Sequence, residues 1–579
     1  MASQSVPLQA AQHPAPIARR STRRGGAPEP AAAADARGRR RRCGSPAAAA
    51  ATKAAPAPTT GNNNNASNTA AVPPAVYLDD APTRALVAWA RDVAKIAGFG
   101  SKVKPATFAG LRGLAATSAA EEGDLLLSVP RASAITLPPK RRCPEGVPSG
   151  WWERAPWYAR LAALLLLEKR RVAAAAAAAA GGGGGGGDAK SARPLMAPYL
   201  ATLPQSFREM PYYWTDAQLD ALRYPALQQA VREQRREWRQ LHDSWAAEAA
   251  TQQAPPAPPT LAELEWALSA VRSRTFSGPY VASTLASRGR LATLVAALAA
   301  ASALLGGADA DSLGRAVGGA VAALVFNVLY ETTLSGKLRQ YVLCPAIDLL
   351  NHSSREGAEA TYDYFRDSFS VSAGAGGFVA PGRQVYGSYG AQSNDSLAQY
   401  YGFVERDNPH DVYVITRALD WVGEVVLGAG GGGGTGGTGG GGGGGGNSGS
   451  ALAAAAARAG VTAELSAVRV VSGSGLSAET VGAMRRLLAE AVDGRVDAGA
   501  GAEAVLAAVL RRELQELLEG GAPPPAGGGG GEGRKAGAGS SSSSSSSAAA
   551  ARLAADFRAE KRKVLDACLA RMVAAADGG

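Results

Sequence analysis

Four short segments of the chain carry side chains that are able to bind or polarise a reactive group. They lie far apart and read GLRGLAA (110–116), RSRTFS (272–277), DLLNHS (348–353) and YGSYGAQSNDSLAQYYGFVERDNP (386–409). A phenol such as that of Tyr401 donates and accepts hydrogen bonds, and the Asn351-His352 pair adds amide and imidazole groups. Each segment alone is also typical of ordinary structure, because glycine turns, satisfied Asn-His pairs and core tyrosines are common. The order and spacing of the four segments are therefore the informative signal.

The elements that would position these residues are short strands and amphipathic helices. Apolar runs separated by turns predict small strands over 107–137 and strands and turns over 340–416. The turn at 110–113 is not followed by the helix that a phosphate-binding loop needs. A first helix is expected near Leu86 and Trp89, and residues 151–172 also have a helical pattern.

Three further helical regions surround a low-complexity insert. The alanine and glycine runs of 173–187 are expected to loop out of the fold. A charged helix is predicted from Thr215 to Ala250. A second helix is predicted after Thr260, whose N-cap role is indicated by Glu263 three residues later.

Two Ala/Leu-rich stretches, 291–305 and 316–330, are shorter than the roughly 20 apolar residues of a membrane span. We expect a helical hairpin packed on the body, with membrane association through 291–330 as the alternative. Beyond the glycine run of 430–446 the chain again has helical patterns. In its last helix one face is apolar and carries Leu553, Phe557, Val564, Leu565, Cys568, Leu569 and Met572.

The charge of the chain is concentrated at its N-terminus. The formal net charge is +11, and residues 1–44 hold nine arginines against two acidic residues, a net of +7. The remaining body is near neutral, so no nucleic-acid partner is expected. The basic, acid-poor leader is typical of a chloroplast or mitochondrial transit peptide, with a disordered basic tail as the alternative. Four scattered cysteines indicate neither a disulfide framework nor a metal site.

The four segments, in this order, resemble the SET-domain protein methyltransferases, and in particular the branch of the plastid Rubisco lysine methyltransferase. The resemblance covers about 100–415 and extends to FRAEKRKVLDACLARM in the last helix and LPQSFREMPYYW in the insert. It implies an α+β fold: a SET domain of β-clip-like small sheets with a pseudoknot, a helical insert, and a C-terminal all-α domain. The implied domains are a transit peptide and disordered linker (1–75), the SET domain (76–415) with insertions at about 150–260 and 280–340, and a helical substrate-binding-like domain (416–579).

The resemblance also implies roles for individual residues. Tyr401 matches the catalytic tyrosine, and Asn351-His352 is expected to end a buried strand beside the YGFVE segment, with its polar groups toward the cofactor. Gly110 departs from the glutamate that the branch often has there. The residues expected to bind S-adenosylmethionine are Leu111, Arg112, Gly113, Ser273, Asn351 and His352. The residues expected to bind the substrate are Arg274, Asp348, Tyr362 and Tyr413.

The chemistry of methyl transfer to an amine agrees with such a site. A lysine amine has a pKa of about 10.4, and a narrow channel lowers that pKa by desolvation and by repulsion from the sulfonium. The expected function is therefore S-adenosylmethionine-dependent protein-lysine N-methylation of a non-histone, plastid protein by a monomer without a metal. The alternatives are a protein-histidine methyltransferase and a non-catalytic SET scaffold in a plastid gene-expression complex.

Overall fold

The computed structural model describes most of the chain outside the leader and the low-complexity inserts, and the described residues belong to one compact unit. The described residues are 5–7, 9–10, 75–180, 195–251, 257–278, 318, 322, 340–355, 357–363, 366–374, 378–428, 446–491, 501–519 and 541–577. The hairpin predicted over 291–330 thus lies outside the described residues, apart from Gly318 and Ala322. Most of the predicted leader and linker lies outside them as well.

The strands of the described chain are short, as the sequence predicts. They are β1 (Ser5–Pro7), β2 (Gln9–Ala10), β3 (Val76–Tyr77), β4 (Val103–Phe108), β5 (Leu111–Ala116), β6 (Leu125–Pro130), β7 (Ile135–Leu137), β8 (Thr275–Gly278), β9 (Gln340–Leu343), β10 (Asn351–His352), β11 (Glu359–Asp363), β12 (Ser368–Ser372), β13 (Gln384–Gly387), β14 (Val412–Ile415), β15 (Val468–Val471) and β16 (Gly475–Leu476).

These strands form small sheets rather than one large one. The strand orders are β1-β11-β12-β6, β10-β13-β5-β4-β3, β2-β8-β9-β7 and β14-β15-β16. Within them β10 runs parallel to β13, and the other pairs are antiparallel. Strands β1 and β2 come from the predicted leader and occupy sheet edges.

The helices carry most of the insert and of the C-terminal part. They are α1 (Ala81–Asp92), α2 (Ser149–Arg154), α3 (Trp157–Ala180), α4 (Ala197–Thr202), α5 (Asp216–Asp220), α6 (Pro225–Ala250), α7 (Leu261–Arg274), α8 (Asn394–Tyr401), α9 (Ala418–Gly428), α10 (Gly446–Arg458), α11 (Thr462–Leu465), α12 (Ala478–Ala491), α13 (Ala502–Glu519) and α14 (Ser541–Asp577). The predicted α+β class, with small sheets and C-terminal helices, is confirmed.

Helix α7 begins as predicted and ends at the candidate site. The Thr260 side chain accepts from the Glu263 amide, and the Glu263 carboxylate accepts from the Thr260 amide, which completes a capping box. The last residues of α7 are Ser273 and Arg274, and β8 follows directly. A capped helix that runs straight into a strand fixes the direction in which these two residues enter the site.

Three local predictions need correction. The alanines up to Ala180 continue α3 instead of looping out, because alanine has the highest helix propensity. The charged helix from Thr215 is two helices, α5 and α6, since Pro225 starts the second one. The strand-and-turn region 340–416 contains α8, which is closed by Gly402 in the left-handed conformation (φ 74°).

Two apolar cores lie under these elements. The first combines the small sheets with α1 to α4, α6 and α7. The second combines C-terminal helices with residues of the insert and of β14, including Tyr224, Leu227, Tyr413 and Phe557. The C-terminal part is not all-α as predicted, because β15 and β16 extend β14 into a sheet. The domain boundary at 415/416 stays a prediction.

Within the described ranges, the longest apolar helical stretches fall short of what crossing a bilayer requires.

Candidate functional site

Residues of the four sequence segments meet in one cavity of about 550 Å³. The predicted site residues that line it are Leu111, Arg112, Ser273, Arg274, Asp348, Asn351, His352 and Tyr401. They come from β5, from the end of α7, from the turn before β10, and from the end of α8. Segments up to 290 residues apart in the sequence thus share one wall, although their individual roles stay predictions.

Tyr401, the last residue of α8, lies in an aromatic stack at this cavity. Its ring centroid is 4.9 Å from that of Tyr389, at an interplanar angle of 29°, and 6.2 Å from that of Phe403. Burial raises the pKa of Tyr401 well above its usual value, and the neighbouring Tyr389 raises it further. The hydroxyl is therefore protonated at neutral pH and is able to donate a hydrogen bond.

The imidazole of His352 links the two segments of the expected pseudoknot. Its Nδ1 accepts from the Tyr389 amide at 3.0 Å, so the ring proton is on Nε2, which lies 3.4 Å from Glu405 Oε2. Burial alone would raise the pKa of Glu405. Hydrogen bonds from His352 and from the Ser354 amide outweigh it and hold that pKa at about 2. The imidazole is thus a neutral link between the Tyr389 amide and the Glu405 carboxylate.

Asn351 connects β10 to the strand that carries Leu111, Arg112 and Gly113. Its side-chain amide donates to the Arg112 carbonyl at 2.9 Å. A Cβ on Gly113 would lie 2.8 Å from the Asn351 amide nitrogen and 2.7 Å from that of Gln384, so a larger residue there requires these side chains to shift. Gly113 does not itself line the cavity, but its lack of a side chain permits this close packing.

The Gly-x-x-Gly segment differs from the sequence prediction. The turn consists of Ala109 and Gly110, both with positive φ (49° and 86°), whereas Leu111 already begins β5. The Asn351-His352 pair also does not end a buried strand: β9 ends at Leu343, a single 3₁₀ turn follows, and the pair forms β10 itself. The buried residues before the pair are apolar because this turn packs in the core, not because they form a strand.

Arg274 and Asp348 form a buried charged pair at the cavity. An Arg274 Nη1–H donates to the Asp348 carbonyl at 3.0 Å and lies 3.5 Å from Oδ2, which also accepts from the Tyr199 hydroxyl at 3.0 Å. Burial raises the pKa of Asp348, although Arg274 and the Tyr199 hydrogen bond oppose that rise. The second oxygen, Oδ1, has no hydrogen-bond partner within the described ranges.

Arg112 adds a second buried guanidinium. One Nη donates to the Thr202 carbonyl at 2.8 Å, while Nε and the other Nη have no partner among the residues that the structure describes. Burial lowers the pKa of Arg112, and the Asp348 charge opposes that change. Buried donors without a partner are costly, so the Arg112 side chain is held in place at a price in stability.

The cavity therefore fits S-adenosylmethionine. Its volume is in the range of small-molecule sites, which is about 300–1,000 Å³. Phe207, Met210 and Phe403 supply apolar wall, and the lining also contains side chains of both charge signs, Arg112 and Asp348, which suits a zwitterionic ligand. Among the described residues, no three His, Cys, Asp or Glu side chains are grouped as metal ligands would be.

Tyr362 and Tyr413 do not line the cavity, which corrects their expected place in a substrate channel. Tyr362 is in β11, where its ring packs 5.0 Å from Phe369 and its hydroxyl bonds Asp367. Tyr413 is in β14, fully buried in the second core, and its hydroxyl donates to Glu513 at 2.9 Å. Strand alternation decides which face such a residue occupies, and the sequence match does not fix that face.

The hydroxyl of Ser273 donates to the Ser269 carbonyl within α7 at 2.7 Å, so its contact with a ligand is not through that proton.

The residues at or near the cavity that the sequence prediction lacked include Tyr199, Phe207 and Met210 from the insert. They belong to α4 and to the loop after it, near the LPQSFREM segment. That segment was noted as similar to the family's insert, and its apolar side chains in a Pro-bearing loop were the available signal. The structure shows that the insert itself supplies one side of the site.

Comparison with known proteins bears on what this site does. No protein-family model matches the chain. Over 93 residues the chain is 36% identical to the ribosomal lysine N-methyltransferase set10 of Schizosaccharomyces pombe (strain 972 / ATCC 24843). This chain is similar to a lysine methyltransferase. The match spans 16% of this chain and 16% of that protein's length. The resemblance inferred from the motifs is confirmed to this extent.

Solved structures of related shape were also found. They include the SET domain of LSMT bound to lysine and AdoHcy and Rubisco LSMT bound to AdoMet, each 15% identical to this chain. They cover 85% and 86% of this chain and 90% and 92% of their own, with TM-scores of 0.46 and 0.48.

Proposed function

We propose that this protein is an S-adenosylmethionine-dependent protein-lysine N-methyltransferase of the SET class. The observation that carries the proposal is the single cavity that joins the Tyr401 phenol to Asn351-His352, Arg112 and Arg274. These residues are distant in the sequence, and their convergence is what a cofactor site beside a substrate channel requires. The similarity to a lysine methyltransferase supports the same conclusion.

The residues of the cavity divide into two groups by their chemistry. The buried guanidinium of Arg112 and the backbone of β5 and β10 suit the polar ends of the cofactor, whereas Phe207 and Met210 suit its apolar surfaces. Tyr401 and Tyr389 form the aromatic side, where a lysine side chain would end. When bound, S-adenosylmethionine supplies a methyl group on a sulfonium, which the amine takes by in-line displacement.

Catalysis by these residues depends on a neutral amine held in line with the methyl group. An apolar, phenol-lined channel lowers the pKa of the lysine by desolvation, because the charged ammonium is disfavoured there. The raised pKa values of Tyr389, at about 12, and of Tyr401 keep both phenols neutral, so they add no negative charge that would hold the proton on the amine. Alignment of the reactants supplies several kcal/mol of the barrier.

We further propose that the substrate is a non-histone protein in a plastid, and that the mitochondrion is the alternative compartment. The basic leader supports an organellar address. The name of the similar protein makes ribosomal proteins a concrete substrate class to test.

The proposal is tested with the full chain, S-adenosylmethionine labelled in its methyl group, and organellar extract that includes ribosomes. We expect the cofactor to raise the thermal midpoint, and labelled lysine to appear in a protein of the extract by mass spectrometry. Label on histidine would replace lysine by histidine as the target. Cofactor binding without label, or no stabilisation at millimolar cofactor, would contradict an enzyme and favour a SET scaffold.

A further inference from the structure

Lys561, on α14, is a fully buried cation that does not line the cavity. Its ammonium donates to Asp411 Oδ1 at 2.8 Å and to the Val412 carbonyl at 2.7 Å, and it forms an ion pair with Asp395. An ammonium has three protons, and these three acceptors use all of them. Burial alone would lower the pKa of Lys561, but the two carboxylates outweigh it and raise that pKa, so the side chain is charged.

The acceptors of Lys561 lie on both sides of the segment that carries Tyr401. Asp395 is in the first turn of α8, where a carboxylate is also favoured by the helix dipole. Asp411 and Val412 are at the start of β14. One ammonium group therefore joins the beginning of α8 to the strand that follows the YGFVERDNP loop.

A chain of hydrogen bonds continues from this ammonium toward the cavity. Asp411 accepts from the Asn394 backbone amide at 2.9 Å and from its side-chain amide at 3.0 Å. Asn394 in turn accepts from the Glu405 amide at 2.9 Å and donates to the Glu405 carbonyl at 3.1 Å. The Glu405 carboxylate faces His352. The segment between Asn394 and Asp411 is thus tied at several points to α14.

The residue before Lys561 adds a further tie to the same loop. The Glu560 carboxylate is buried and accepts from the Asp407 amide at 2.8 Å. Two successive residues of α14 therefore contact the loop and the strand that bracket Tyr401, although neither of them lines the cavity.

We propose that Lys561 is a positioning residue for methyl transfer: it fixes α8 and the following loop, and thereby the place of the Tyr401 hydroxyl in the cavity. Its effect passes through Asp395 and Asp411 and not through contact with substrate or cofactor. The C-terminal helix is then part of the machinery that orients the reaction. The rate effect rests on the proposed function, whereas the position of Tyr401 does not.

The variants are chosen so that at most one buried carboxylate, that of Asp411, is left without a cation. Replacing Lys561 alone would leave two buried carboxylates without a cation, so the main variant is the double substitution Lys561→Met with Asp395→Asn, which keeps the net charge of the cluster. The single variant Asp395→Asn retains the Lys561–Asp411 pair and serves if the double variant does not fold. Arg562→Met is the matched control, because Arg562 is the next residue on α14, half-exposed and paired with Asp566 on the same helix.

The first measurement reports the position of Tyr401 directly. 3-Fluorotyrosine is incorporated at 401 in the full chain, and its ¹⁹F resonance is recorded with and without S-adenosylmethionine. We expect the resonance to shift or broaden in the double variant and in Asp395→Asn, and to stay in place in Arg562→Met. An unchanged resonance in a folded Asp395→Asn or double variant overturns the proposal.

The second measurement separates catalysis from binding. At saturating cofactor and well below the thermal midpoint, the single-turnover rate is expected to fall by about tenfold to a hundredfold, since misplacement of about 1 Å has that effect. The cofactor Kd is expected to change less than the rate, because Lys561 does not touch the cavity. A folded variant with the wild-type rate also overturns the proposal. If the wild-type chain transfers no methyl group, the proposed function fails, while the ¹⁹F result still decides the positioning role.

Discussion

The phenol of Tyr401 remains protonated because burial raises its pKa, and Tyr389 beside it has a pKa raised by burial to about 12. Neither group is therefore poised as an anionic base near neutral pH. Under the proposed function, the pair would offer a lysine side chain a dry aromatic surface and a hydroxyl able to orient its amine.

Tyr401→Phe removes that hydroxyl and keeps the ring stack with Tyr389. We expect methyl transfer to fall by about 10²–10⁴-fold, the range for a group that assists proton transfer or orientation, while cofactor affinity survives. The rate and the affinity are measured by single turnover and by calorimetry. Tyr400→Phe is the matched control, since Arg272 lies 3.8 Å from that ring and needs only the ring face. Wild-type turnover by Tyr401→Phe would remove this tyrosine from the mechanism.

Protonation of Glu405 in acid should lower the free energy of unfolding. Its pKa of about 2 is below the unfolded value of about 4.3, so its ionised form stabilises the native state above the unfolded pKa. This contribution is lost as pH falls from about 4.3 toward 2. We expect Glu405→Gln to be less stable than wild type by on the order of 2–3 kcal/mol at pH 7.

The check is urea unfolding of wild type and Glu405→Gln at about pH 7 and pH 3, where linkage predicts a smaller difference at the lower pH. Glu479→Gln, on an exposed position of α12, is the control for loss of one carboxylate. A difference that is equal at both pH values would contradict the stabilisation of the Glu405 carboxylate by His352 and the Ser354 amide.

At the level of single residues, the sequence predicted which chain segments come together at the cavity better than it predicted which way individual side chains face. The motifs placed Arg112, Arg274 and Asp348 at one cavity because each motif marks where a chain segment ends or turns. Tyr413 was assigned to the same place, but it faces the second core. A strand residue changes face with every position, so an approximate match is not enough to orient it.

Helix α8 is the element on which the catalytic proposal depends. Its last residue is Tyr401, and Gly402 ends it with φ 74°, a conformation that costs little only for glycine. It was missed in the sequence because eight residues give too few turns for a clear helical period. Gly402 in YYGF was, however, a visible helix-stop signal.

Gly402→Ala should strain this helix end. We expect a loss of stability of about 1 kcal/mol from the left-handed conformation, together with a lower rate of methyl transfer as Tyr401 moves. The new Cβ would lie 3.5 Å from Glu209 and Met210, which is ordinary contact, so the backbone carries the cost. Thermal unfolding and single-turnover rates test this.

Gly423→Ala is the control for that substitution. Gly423 lies inside α9, and a Cβ there would meet only Leu452 at 3.9 Å. Because alanine is favoured over glycine in a helix by up to about 1 kcal/mol, this variant should be as stable as wild type or more so. Equal effects of the two substitutions would show that the left-handed position is not the cause.

The described part of the chain has two large apolar cores, and the second one crosses the predicted domain boundary. Tyr224 from the insert, Tyr413 from β14 and Phe557 from α14 pack together, with ring centroids 5.0 Å and 5.4 Å from Tyr224. The helical character of the C-terminal part was predictable from its apolar periodicity. That the insert supplies part of the same core was not predictable, because no local pattern encodes a contact more than 300 residues away.

Phe557→Ala should therefore destabilise elements on both sides of the predicted domain boundary. We expect a loss of about 3–5 kcal/mol, as is usual for a fully buried phenylalanine, and faster hydrogen exchange in α8 as well as in α14. Leu518→Ala is the control, since Leu518 on α13 is 48% exposed and surface changes are usually within about 0.5 kcal/mol. Unaltered exchange in α8 would mean that the helices of the two regions unfold independently.

Gly113 lies so close to the side-chain amides of Asn351 and Gln384 that the residue sizes allowed at these three positions depend on one another. A methyl group at 113 requires the side-chain amides at 351 and 384 to shift or to be shortened, and a change at 351 disrupts its hydrogen bond to the Arg112 carbonyl. Compensating pairs at 113 and 384, with asparagine retained at 351, are thus the substitutions by which an engineer should reshape this wall without loosening it.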